Sequence, residues 1–71
     1  MQEVVMVLCT DLSEKSLDQA IVFVAVPNSA ATALVQARKV IQEFDMQLTP
    51  IWVSEPMSVA DDVYCDNPYV I

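Results

Sequence analysis

Two short stretches hold the side chains with any capacity for chemistry. Cys9-Thr10-Asp11 sets a thiol at the end of an apolar run, where a strand end can present a nucleophile. Asp61, Asp62, Cys65 and Asp66 gather carboxylates and a second thiol, the kind of oxygen-rich set that hard cations use. Neither stretch has the company its chemistry needs. The 71 residues include no histidine and no glycine, and only three basic side chains: Lys15, Arg38 and Lys39. Cys9 therefore lacks the base that would draw off its proton, and it reads first as a small buried apolar residue. Calcium loops alternate their ligands around a glycine turn, and zinc asks for more Cys or His; the 61–66 cluster meets neither demand. No phosphate loop, nucleophile elbow or dinucleotide fingerprint is present. The expectation is a protein that is not an enzyme, with no cofactor and no metal site.

Charge narrows the partners. Ten acids against three bases leave a net charge of −7, and no base follows Lys39, while Glu43, Asp45, Glu55, Asp61, Asp62 and Asp66 do. Direct nucleic-acid binding needs Lys and Arg to neutralise phosphate, and an anionic membrane surface needs them too. Both are disfavoured. A protein with a basic surface is the natural partner. The plainer reading is that the charge only keeps an apolar chain in solution. The apolar share is 55% without glycine, above the roughly 45–50% usual for domains with glycine counted.

The length gives one domain, 1–71, with a core at 1–55 and a tail at 56–71. Met1-Gln2-Glu3 lacks the positive start of a secretory signal, and the longest apolar run, 20–26, is too short to span a bilayer. Two cysteines make no disulfide framework. A cytoplasmic protein with free thiols is expected.

Val4–Leu8 and Ala20–Val26 are apolar and rich in β-branched residues, which predicts two strands buried on both faces. Asp11 with Glu14 resembles a capping box, for a short helix or a plain loop between them. Pro27 ends the second strand. Asn28 or Ser29 then caps a helix over 30–44, with Ala30, Leu34, Ala37, Ile41 and Phe44 as its stripe, widened by Ala33 and Val40. Asp45 must terminate it, as no glycine is available. A third strand follows at 46–54. Its apolar parity switches around Pro50, which points to an edge position or a bulge, with pairing from near Ile51. Trp52 belongs to the core if it faces the helix, and to an interface if it does not. Asn67-Pro68 suggests a turn in the tail.

The loop between the first two strands is too short for a parallel crossover, so they pair antiparallel; a helical connection makes the second and third strands parallel. The fold class is α+β. A small three- to four-stranded mixed sheet with a ββαβ core carries one main helix on one face, and an irregular or short-strand tail follows. One helix covers one face, yet both central strands are apolar on two. The tail is the first choice for covering the second face, a second copy of the chain (a homodimer) the next, and another protein the third.

The functional expectation is a non-enzymatic protein-binding module, a small acidic inhibitor that occludes a basic surface of another protein, with a nucleic-acid-binding surface as the narrower form. A phage-type anti-defence inhibitor acting by nucleic-acid mimicry is one form of it. The contact residues are Glu55, Asp61, Asp62, Tyr64, Asp66 and Tyr69, with the tyrosines as anchors inside an acidic rim. The alternative is a homo-oligomeric structural or adaptor subunit that associates through an apolar sheet face.

Overall fold

The structure, a computed structural model, describes residues 1–13, 18–25 and 29–71. Its elements in order are β1 (Gln2–Thr10), β2 (Gln19–Ala25), α1 (Ala30–Glu43), β3 (Thr49–Val53), β4 (Met57–Val59) and β5 (Pro68–Val70). This is an α+β domain in which one helix packs against a single sheet ordered β3-β1-β2-β5, with β4 also on β1.

Every strand pairing among the described residues is antiparallel. The sheet is therefore not mixed. β2 and β3 do run in the same direction, as the helical connection requires, but β1 lies between them and no parallel ladder forms. The long β1 serves two partners on one edge, β3 along Val7–Thr10 and β4 along Gln2–Val4. Ser54 joins the two segments. Its N–H donates to the Met6 carbonyl and its hydroxyl accepts from the Met6 N–H, both at 2.8 Å, so the ladder continues through a side chain.

Antiparallel register puts directly opposed residues on the same face. Val5 opposes Val24, Val7 opposes Val22 and Cys9 opposes Ala20. This set meets Ala33, Ala37, Val40 and Ile41 of α1 in the core, with Leu34, Met46, Leu48 and Val53 packed around it. Small helix residues against β-branched strand residues let the helix settle close to the sheet. Ala30 and Phe44, expected in the stripe, are exposed. The buried stripe is centred on the 33/37/40/41 row, and Phe44 has left helical geometry as the C-cap.

Both helix ends follow from the sequence. Ser29 is the N-cap, and its hydroxyl accepts from the Thr32 N–H at 3.2 Å. At the other end Asp45 takes φ 54°. The Asp45 N–H donates to the Gln42 carbonyl and the Met46 N–H to the Ile41 carbonyl, both at 3.1 Å. These are the two bonds of a Schellman closure, made here without glycine.

β3 is an edge strand, and its register with β1 slips between Leu8 and Cys9. Leu8 opposes Trp52 and Cys9 opposes Pro50, which leaves Ile51 as the extra residue. The bulge explains the switch in parity. Met46 and Leu48 reach the helix-side core, whereas Trp52 faces the other way and Val53 returns to the core. Thr49 is already paired, so the ladder begins before Ile51. In the β1–β2 connection the Asp11 carboxylate accepts from the Ser13 N–H at 2.8 Å, an Asx turn. The Glu14 half of the expected capping box, Lys15, the Pro27 stop and the Asn28 cap lie outside the described residues. No described helix is long and apolar enough to cross a membrane.

Candidate binding surface

The second sheet face, opposite α1, has an ordered row of side chains. Trp52 opposes Leu8, Leu8 opposes Ile21, and Ile21 opposes Tyr69. One apolar line thus crosses β3, β1, β2 and β5 on the side away from the helix. The next row holds Met6 opposite Phe23, and beyond it Val4 opposes both Ala25 and Met57. On the other side Thr10 opposes Gln19 and Thr49, and there the face turns polar. The Tyr69 ring meets Phe23 edge to face, with centroids 5.8 Å apart and planes at 69°. Trp52 remains 50% exposed and Tyr69 36%; Met6, Leu8, Ile21 and Phe23 are half-buried.

The tail, the first choice for covering this face, covers its Gln2–Val4 end and lays Tyr69 against Phe23. Most of it extends the sheet edges as β4 and β5. The link between them is held by Gln2, which shares a face with Val4 and Met6. Its amide nitrogen donates to the carbonyls of Ala60 at 3.2 Å and Val63 at 2.6 Å, and its oxygen accepts from the Cys65 thiol at 3.6 Å. Val4 beside it is fully buried. The rows of Met6 and Leu8 are not.

The structure sorts the six expected contact residues into separate groups. Asp61, Asp62 and Tyr64 sit together on the link after β4, all exposed, Tyr64 to 72%. Tyr64 and Tyr69 are tied, since the Tyr64 N–H donates to the Tyr69 hydroxyl at 3.0 Å. Glu55 is exposed on the β1 edge, next to Ser54. Asp61 lies 3.1 Å from the Met1 ammonium, an exposed pair worth little in water. Asp66 turns from the others. Its φ is 58°, and its carboxylate accepts from Gln36 of α1 at 3.2 Å, on the helix side. The turn of the tail therefore falls at Cys65–Asp66 rather than at Asn67-Pro68, because Pro68 opens β5.

The residues that chemistry would use stay apart. Cys9 is fully buried in the core, and burial pushes its thiol up from its ordinary value. Cys65 is partly buried, and burial, then the Asp66 carboxylate, push its thiol up as well. Both cysteines are free. Among the described residues no cluster of His, Cys, Asp or Glu is arranged to hold a metal ion. A solvent-open groove of about 530 Å³ runs between the C-terminal half of α1 and the start of the β1–β2 connection, with Arg38, Gln42, Gln47 and Thr49 in its lining.

What sequence reasoning missed is the apolar middle of the face: Met6, Leu8, Ile21 and Phe23. Its only trace was the unbroken apolar run of both strands, which says that two faces are apolar but not which residues share one. The described bases, Arg38 and Lys39, both lie exposed on α1, and no Lys or Arg occurs in any strand or in the tail. No family model, curated protein or solved structure matches this chain.

Proposed function

We propose that the protein is a non-enzymatic binding module that docks on a basic surface of another protein and occludes it. The carrying observation is the partition of charge. The strands and tail contribute Glu55, Asp61 and Asp62 next to an apolar face with aromatic edges, and no Lys or Arg side chain occurs in any strand or in the tail; Glu3 and Asp66 add negative charge on the helix side. Exposed aromatics within an acidic surround supply anchoring area, and the carboxylates steer a basic partner into contact. Occlusion of a nucleic-acid-binding protein, with carboxylates in place of phosphates, is the narrower form of this reading. An inhibitor of a nuclease complex, of the phage anti-defence kind, belongs to that form.

The test is a partner captured on the immobilised protein and then titrated at rising salt. Affinity falls steeply with ionic strength, and Asp61→Asn, Asp62→Asn and Asp66→Asn together weaken it. Affinity indifferent to both would end this reading.

One observation favours a second reading, a homo-oligomeric subunit: among the described residues the Met6 and Leu8 rows are only partly covered. That reading requires a dimer whose melting temperature rises with protein concentration. A monomer by sedimentation at high concentration rules it out.

A further inference from the structure

We propose that the second sheet face seats a basic amphipathic helix of the partner protein. Its apolar stripe lies between Trp52 and Tyr69, and its Lys and Arg side chains reach the carboxylates at the tail end of the sheet. This rests on the docking reading above and specifies the element that docks.

The dimensions fit a helix. The row Trp52–Leu8–Ile21–Tyr69 crosses four strands, or about 14 Å at the usual interstrand spacing. A helix with side chains is about 10–12 Å across. In this row the bulkiest residues, Trp52 and Tyr69, stand on the outer strands with shorter aliphatics between them, and in the next row Phe23 meets Tyr69 edge to face, so the trough is the Leu8–Ile21 strip flanked by Trp52 on one side and the Tyr69–Phe23 pair on the other. Along the strands the rows that the tail leaves open run from Met6 to Leu8, about 7 Å, since Val4 is already buried beside the Gln2-bound link. That seats a little over one helical turn, about 1.3. The Thr10, Gln19 and Thr49 row closes one end with polar side chains, and the Gln2-bound link closes the other.

Charge selects the occupant. Glu55 lies along the β1 edge of the trough, and Asp61 and Asp62 stand at its tail end. A helix flanked by Lys and Arg is drawn to that rim, whereas one flanked by acids is repelled. A second copy fits poorly. It would set acid against acid, and its described bases lie on α1, whose apolar stripe already packs on its own sheet. Apolar stripe into apolar groove is the established helix-in-groove mode.

Trp52 is the sole tryptophan, so it reports on the trough directly. The probes are three synthetic peptides of about 14 residues, long enough to cover the apolar rows. One has a leucine stripe at helical spacing with Lys flanks, one has the same stripe with Glu flanks, and one is a permutation of the first without a stripe. The Lys-flanked peptide shifts Trp52 emission to the blue and perturbs the amides of β1, β2, β3 and β5, leaving those of α1 unmoved. The Glu-flanked peptide binds at least about tenfold more weakly at low salt, a gap that closes as salt is raised. The permuted peptide leaves the emission unchanged. Ile21→Glu abolishes binding. Trp52→Ser, at a half-exposed edge position that the fold tolerates, weakens it by NMR titration.

Emission unmoved by any of the three peptides overturns the proposal, as do perturbations confined to α1. So does a concentration-dependent dimer that Trp52→Ser dissolves, since a second copy then owns the face. If the triple Asp→Asn protein loses peptide binding while Trp52→Ser and Ile21→Glu retain it, the trough is wrong and the docking reading survives. If the two stripe-bearing peptides bind equally at every salt concentration, the docking reading itself fails.

Discussion

Gln2 and Val63 stand 61 positions apart in sequence, and the Gln2 side-chain amide donates to the Val63 carbonyl at 2.6 Å. The same nitrogen reaches the Ala60 carbonyl, and the Gln2 oxygen takes the Cys65 thiol hydrogen. One side chain at the start of β1 thus holds the link between β4 and β5 against the sheet. β4 and β5 are only three residues each, too short to fix that link by themselves.

Gln2→Ala therefore loosens the tail before it loosens the domain. The partly buried Val63 carbonyl and the Cys65 thiol lose their partner, at a cost of about 1–2 kcal/mol, while the exposed Ala60 carbonyl keeps the Val63 N–H. Native-state hydrogen exchange locates the effect: amides of residues 60–66 exchange faster, while those of Val7 and Val22 keep their protection. A uniform loss across all strands would show that Gln2 supports the whole fold and not the link.

Asp45 carries a second expectation. Its φ of 54° is a left-handed conformation that glycine adopts without steric cost. Its carboxylate also stands at the helix C-terminus, where the macrodipole disfavours negative charge. Asp45→Asn removes the charge and keeps a side chain that accepts this backbone, so it stabilises by about 0.3–0.5 kcal/mol. Asp45→Gly also relieves the backbone and stabilises by about 1 kcal/mol. Asp45→Val destabilises by at least about 1 kcal/mol, because a β-branched residue resists positive φ. Urea unfolding at constant m-value checks the order Gly, Asn, Asp, Val.

The legibility of these features in the sequence follows their physics. Ser29 and Asp45 are local: a capping hydroxyl and the absence of any glycine decide both helix ends. The bulge at β3 was legible because Pro50 and a broken alternation stand side by side. The direction of β2 relative to β3 was legible from the helix between them, but their separation by β1 was not. Adjacency depends on which edge of β1 offers the longer ladder, and no residue of β3 announces that. The destination of the tail was hidden for a similar reason. Its apolar residues are compatible with lying over a face or lengthening an edge, and the outcome rests on Gln2, a polar residue at the far end of the chain. For the binding surface, the acids and tyrosines are visible as types. The row from Trp52 to Tyr69 exists only once three registers are fixed.

Cys9 gives the pH expectation. It is fully buried between Ala20 and Pro50 of the flanking strands, and burial raises its thiol from the ordinary 9.0. In the folded state the neutral thiol is kept; in the unfolded chain it ionises near its ordinary value. Below that value both states hold the proton and stability does not depend on this group. As pH rises past it, the unfolded chain loses the proton first, and stability drains away until the folded-state value is reached. Across that window the slope approaches about 1.4 kcal/mol per pH unit for a single such group. Cys65 is raised too, but it is less buried and adds less. The melting temperature is therefore flat through neutral pH and falls once the buffer is raised past about pH 9. Cys9→Ala lowers stability by about 1 kcal/mol at neutral pH through the small cavity it leaves, and it flattens most of the alkaline fall. In the folded wild-type protein a thiol reagent modifies Cys65 first and reaches Cys9 only on unfolding. If Cys9 reacted as fast as Cys65, or if Cys9→Ala left the alkaline slope intact, the buried thiol would not be the group that titrates.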